Sequence, residues 1–353
     1  MTNDDCSMAA ELLAVSTTAY AAYASNRLLE KVPEAKLKLG EDAFRHWKEH
    51  YSERIRELSA ALSEGQSVLF SSRVTWAREA FVARGVSDTL LNDSLECLSE
   101  ILKEELPAFC SESPVQFIAD AIQVLKQSEA NKGGELLETE IPQLGLQYLK
   151  LVLEGDVCKA VQFMISTRDN GTPLTEIYQA LTVAQYEVGR MWHNAAINIA
   201  EEHLVTFTTE RTMAVLAFQA EKKESNGLTV VSAAVANNAH DVGIRVVSDF
   251  FEFAGWRAIC LGGDLPAKDI SAAVQWMDAS LVLLSASLTT QLVEIREAIA
   301  AVRDLDTDCK IMVGGGAFSE APEIWQSMGA DGYAANPTQA VELGLKLVTG
   351  SSE

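Results

Sequence analysis

Apolar residues recur every three or four positions through the first 130 residues, and after residue 227 that period gives way to short, solid apolar runs. AAELLAVSTTAYAAYASNRLLEK, DAFRHWKEHYSERIRELSAALSEG, SVLFSSRVTWAREAFVARG, SDTLLNDSLECLSEILKEEL and SPVQFIADAIQVLKQSEA each predict an amphipathic helix. Ser87 and Asp88 offer N-cap chemistry to the fourth, and Pro107 stops it. NKGGELLETEIP is Gly- and Glu-rich and reads as a linker over 131–141. Four more helices are expected in 142–222: LGLQYLKLVLEG, DVCKAVQFMISTRDNG, PLTEIYQALTVAQYEVGRMW and a segment opened by Asn198, which with Glu201 has capping-box spacing. Beyond ESNG, the runs LTVVSAAV, WRAICLGG, SLVLLSAS, CKIMVGGG and DGYAAN are each followed by a helix-length stretch. Strands buried on both faces and alternating with helices predict a parallel sheet over 228–353. The expected class is multidomain, α then α/β, with ligand space beyond the strand C-termini where strand order reverses.

Composition narrows the function classes. The 353 residues carry a formal charge of −22, which repels phosphate backbones and argues against direct nucleic-acid binding. No apolar run is long enough to span a membrane, and MTNDDCSMAAELLAV lacks the basic start of a signal peptide, so a cytoplasmic location is expected. The six cysteines are scattered without CxxC spacing and read as free thiols.

The first strand of the α/β segment runs into ANNAHDVGIRVV, which has neither a GxGxxG triplet nor a P-loop lysine. It carries Asn238-x-His240-x-x-Gly243, with Asp241 beside the histidine. Asn238 is placed to hydrogen-bond one ring nitrogen of His240 and leave the other as a metal ligand. Later strand ends are small and hydroxylated: Gly262-Gly263-Asp264, Ser285-Ala286-Ser287-Leu288-Thr289 and Gly314-Gly315-Gly316. Ordinary βα-turn chemistry explains any one of these, but the set describes a slot for a long polar ligand.

The set resembles the cobalamin-binding domain of methionine synthase and its relatives, over about 228–351. That resemblance implies a Rossmann-like (flavodoxin-like) sheet of five parallel strands, with His240 as the lower axial cobalt ligand. The cofactor's tail would lie in a slot lined by Gly243, Gly263, Ser285, Thr289, Gly314 and Gly315, with Asp241 and Ser287 alongside. Asn238 departs from the family's carboxylate. The resemblance also makes 142–222 a four-helix-bundle cap over the upper cobalt face.

Within that cap, WHNAAINIAEEH places Trp192 ten and eleven positions before Glu202 and His203. This spacing is similar to the signature of adenosylcobalamin-dependent photoreceptors. It implies that Trp192 packs on the adenosyl group, Glu202 hydrogen-bonds it and His203 reaches cobalt after photolysis. AFRHWKEHYSERIRELSAAL and SVLFSSRVTWAREAFVARGV resemble the globin-like, biliverdin-binding module of photocobilins, over 1–130. His46, His50, Arg73, Trp76 and Arg78 are then bilin candidates, with haem on His46 or His50 as a rival and covalent attachment at Cys97 left open. The expectation is a light-sensing photoreceptor, not an enzyme, that forms a homo-oligomer, a dimer, with light-dependent assembly and signals to a separate protein partner. A corrinoid methyl carrier of a methyltransferase system and a haem- or cobalamin-based sensor are the alternatives.

Overall fold

The computed structural model describes residues 3–37, 40–127 and 142–350. The chain divides into two compact units, residues 1–132 and 133–353. The segment expected as a linker, 131–141, lies outside the described residues.

The described part of the first unit is helical. It comprises α1 (Asn3–Lys31), the single turn α2 (Glu34–Leu37), α3 (Ala43–Ser63), α4 (Ser67–Ala83), α5 (Asp88–Glu105) and α6 (Glu112–Gln127). The inward stripes of α1, α3 and α5 meet in a core that includes Leu13, Leu28, Tyr51, Ile55, Leu58 and Leu98. Each such side chain contributes roughly 1.5–3 kcal/mol on burial. Tyr51 and Trp47 are admitted because their polar tips are satisfied: Tyr51 Oη donates to the Ser94 carbonyl at 2.9 Å and Trp47 Nε1 to that of Ala35 at 3.0 Å. Ser87 caps α5, its hydroxyl accepting from the Thr89 amide.

The second unit opens with four helices, α7 (Gln143–Leu153), α8 (Val157–Asp169), α9 (Leu174–His193) and α10 (Ile199–Phe218). The junction inside WHNAAINIAEEH is set by local chemistry. Ala195 turns left-handed (φ 54) and the Ala196 amide reaches back to the Met191 carbonyl at 2.8 Å, ending α9. Asn198 then starts α10. Its Oδ1 accepts from the Ala200 and Glu201 amides, and the Glu201 carboxylate accepts from the Asn198 amide at 2.8 Å, so the capping box is present.

Five parallel strands follow: β1 (Thr229–Val235), β2 (Arg257–Leu265), β3 (Leu281–Ser285), β4 (Lys310–Gly314) and β5 (Gly332–Tyr333). The helices between and after them are α11 (Val242–Phe253), α12 (Ala267–Met277), α13 (Leu292–Arg303), α14 (Ile324–Met328) and α15 (Pro337–Thr349). The order β2-β1-β3-β4-β5 reverses direction at β1, so the switch point lies between the C-terminal ends of β1 and β3. All residues of β1 and β3 are buried, as their solid apolar runs require.

The four-helix layer docks on α11. Val246 of α11 belongs to the same core as Tyr148, Leu149, Tyr178, Leu181 and Met213. Tyr178 packs edge-on against Phe250 and Phe253, and its hydroxyl donates to Asp249 at 2.6 Å. Burial pushes the Asp249 carboxyl up to about 6, against the lowering effect of the Tyr178 hydrogen bond. The segment leaving α10 is fastened to the far end of α11: the Lys223 amide donates to the Phe253 carbonyl and the Asn226 amide to that of Gly255. Gly255 must be glycine, because φ is +89 and a Cβ would stand 2.2 Å from the Glu224 carbonyl oxygen.

Candidate cofactor-binding site

The loop after β1 carries His240 and is pinned on every side. Asn237 is left-handed (φ 60); its amide donates to Asp264 Oδ1 at 2.8 Å, and its carbonyl accepts from Gln291 Nε2 at 2.8 Å. Asn238 is fully buried. Its Nδ2 donates to the Ser285 carbonyl at 3.1 Å, across the switch point, and its Oδ1 accepts from the His240 amide at 3.2 Å. The hydrogen bonds Asn238 makes thus go to backbone, on β3 and on its own loop, where a bond to the His240 ring was expected. The His240 side chain stands exposed at the end of β1.

A cavity of ≈ 200 Å³ opens beside this loop, between the ends of β3 and β4 and the first turns of α11 and α15. Gly243, Ser285, Gly314 and Gly315 line it, joined by Thr182 from α9 and Asn336 from the cap of α15. The glycines differ in cause. Gly315 is forced by the backbone: φ is +98 and a Cβ would lie 2.3 Å from the Ala286 carbonyl oxygen. Gly243 is not, since nothing lies within 4 Å of where its Cβ would be. Its missing side chain leaves room in the cavity and relieves no contact within the fold.

Other expected positions stand elsewhere. Gly263 is a close-approach glycine outside the cavity, with a Cβ position 2.8 Å from the Asn238 carbonyl oxygen. Thr289 is buried at the start of a short 3-10 turn, also outside the cavity lining. The Ser287 amide donates to Gln291 Oε1 at 2.8 Å. Asp241 is held by Arg245 at 2.7 Å, and Arg245 approaches Glu210 of α10 at 3.9 Å, linking the four-helix layer to the histidine loop. Sequence reasoning missed Gln291, whose amide ties the β1 and β3 loops together, as well as Asn237, Thr182 and Asn336. Of these only Asn336, ahead of Pro337, carries a local signal, that of a helix start.

Trp192 stands at the C-terminal end of α9, and Glu202 and His203 stand in the first turns of α10. Trp192 is 41% exposed. Glu202 accepts from Thr206 at 2.8 Å and lies 2.7 Å from His203 Nδ1, both partners being on its own helix. The outward side of α10 also presents Leu204 and Phe207, with Phe207 65% exposed.

In the first unit the bilin candidates have different surroundings. His46 is exposed, whereas the His50 ring is boxed by Trp47, Tyr51 and Phe81 with Nε2 sealed and unpartnered. Burial, then the neighbouring Arg54 cation, pushes His50 down to about 3. Arg73 lies over the Trp76 ring at 4.3 Å and donates to Glu57, while Arg78 is turned inward to the Leu125 carbonyl. Cys97 is buried, and its thiol is pushed up to about 11, a poor nucleophile for covalent attachment.

Residues 228–342 match a family model described as a B12 binding domain, and residues 146–217 match a second model with the same description. A corrinoid protein of Desulfitobacterium hafniense is 28% identical over 206 residues, which are 56% of this chain and 94% of that protein. Dimethylamine corrinoid protein 3 of Methanosarcina mazei is 30% identical over 122 residues, covering 34% of this chain and 71% of the relative. The chain belongs to the B12-binding corrinoid proteins. The solved monomethylamine corrinoid protein of Methanosarcina barkeri shares the fold, with a TM-score of 0.51 at 21% identity over 57% of this chain and 96% of that one. Membership of the corrinoid proteins overturns the photoreceptor expectation, because the relatives found are corrinoid proteins, some of them named for methylated amines. The adenosyl ligand, the biliverdin chromophore and light-driven signalling rested on that expectation and are set aside with it. Among the described residues, no helix is long and apolar enough to cross a membrane.

Proposed function

We propose that this corrinoid protein is a methyl carrier: it holds a corrinoid, serves a methyltransferase system that uses a methylated amine, and is not itself the catalyst. The domain bounds that go with this reading are 142–222 for the cap and 228–353 for the cobalamin domain. When bound, the corrinoid supplies a cobalt centre that takes up and gives up a methyl group. His240 offers a ring nitrogen to that centre from a loop held by hydrogen bonds at Asn237, Asn238 and its own amide. The cavity of Gly243, Ser285, Gly314 and Gly315 takes the cofactor's tail, and α7–α10 cover the site and exclude water. The observation that carries the reading is Gly243, a glycine that its own fold does not require, on the wall of a cavity at the switch point.

The test uses the full chain and hydroxocobalamin. Uptake of one cobalamin per chain is expected, with a His240→Ala variant binding at least about tenfold more weakly and showing an altered cobalt absorption spectrum. After chemical reduction, a purified amine methyltransferase with dimethylamine should methylate the bound cobalt, read as the methylcobalamin spectrum. Absence of stoichiometric uptake would sink the corrinoid role. Uptake without methylation by amine-, methanol- or thiol-dependent enzymes would sink the carrier role.

A further inference from the structure

α1 carries an outward face unlike those of its neighbours. It packs on α3 and α5 with one side, and from Met8 to Tyr23 the opposite side presents a single charge, Glu11. Val15 is 89% exposed, and Met8 and Tyr23 are about half exposed. By contrast, α3 shows Arg45, Glu49, Glu53 and Arg56 to the outside. A strip about 24 Å long at 1.5 Å per residue with one charge is out of place on a chain of charge −22.

We propose that this face docks a second copy of the chain, α1 against α1, antiparallel about a two-fold axis. Two copies so acidic repel one another wherever carboxylates face, so the contact must be made where charge is lowest. A cationic partner would choose the acidic faces and leave this one bare. The strip also complements itself. Met8, Glu11, Val15, Ala19, Tyr23 and Asn26 recur at three-to-four spacing, and a two-fold between Val15 and Ala19 sets Val15 against the partner's Ala19. The same axis sets Glu11 opposite the partner's Tyr23, whose phenol donates to the one carboxylate in the strip, twice over by symmetry. The small Ala19 lets the helix axes approach to about 8–10 Å. This pairing does not depend on the methyl-carrier reading.

Sedimentation equilibrium of the full chain tests it. A mass near twice 38.3 kDa is expected. Val15→Arg, at an exposed position, should give a monomer with unchanged circular dichroism. Tyr23→Lys should tighten the dimer at least about tenfold by pairing with Glu11, and Tyr23→Glu should weaken it by a similar factor. A monomer at concentrations up to about 100 μM would overturn the proposal. A dimer indifferent to Val15→Arg would overturn it as well, by showing that copies meet elsewhere. Tyr23→Lys and Tyr23→Glu acting alike would exclude the antiparallel register.

Discussion

In the first unit, His50, Arg54, Glu57 and Arg73 are drawn inward and used up in packing. In the second, Asn238, Ser285 and Gln291 are drawn inward to hold loops around a space. Both groups are mostly withdrawn from solvent, and both are rich in side chains capable of binding chemistry. What separates them is the backbone around them. Aromatic rings close over His50, whereas a glycine at 243 and the parting of strands at the switch point keep the second site open. Binding capacity follows the space left by the backbone more than the inventory of polar residues.

The largest expected effect comes from filling that space. Gly243→Leu should weaken cobalamin binding at least about 100-fold, while thermal stability holds or rises by up to about 1 kcal/mol because a helical glycine is replaced. Calorimetric titration and melting on one sample read both, and lost stability with retained binding would break the comparison.

A mid-sized effect is expected from pH, with opposite sign in the two units. His50 is depressed from 6.5 to about 3, so its contribution is present above 6.5 and is lost as pH falls toward 3. Asp249 is raised from 3.8 to about 6 amid Tyr178, Glu252, Arg245 and Lys222, so its contribution is present below 3.8 and lost as pH rises through 6. Between about pH 7 and pH 5, hydrogen exchange should therefore show α3–α4 loosening and the α9–α11 contact tightening, each on the order of 1 kcal/mol. Asp249→Asn should abolish the second trend alone. Parallel trends in both units would contradict these assignments. The smallest effect is expected from His50→Phe, which removes a sealed, unpartnered nitrogen from an aromatic box. Stability near neutral pH should stay within about 1 kcal/mol, and the acid sensitivity of α3–α4 should fall. A loss of several kcal/mol would mean that His50 holds something.

Much of the fold was legible because each unit's burial imposes a period on the chain. Solid runs such as LTVVSAAV became buried parallel strands, and Asn198 with Glu201 made the capping box their spacing predicted. The site was legible in part. Gly243, Ser285, Gly314 and Gly315 meet on one cavity wall. The rest was hidden because hydrogen-bond partners in a parallel sheet are distant in sequence. Nothing local tells that Asn238 reaches Ser285 and ignores the adjacent histidine ring, or that Gln291 reaches back 54 residues to Asn237. Spacing likewise says nothing of the partners Glu202 finds on its own helix, Thr206 and His203.

The fastening of Lys223 and Asn226 to the end of α11 also sets the mechanics of the four-helix layer. It anchors the chain just beyond the C-terminal end of α10, so in any tilt of α10 about that end as fulcrum the His203 end would be the moving tip. A 20-residue helix is about 30 Å long, so tilting it by about 10° would move that tip by about 5 Å while the fulcrum hardly shifts. Access from above would thus be geared at the tip, with the Glu210–Arg245 contact midway along the arm and the Tyr178–Asp249 bond near the fulcrum, beside Met213.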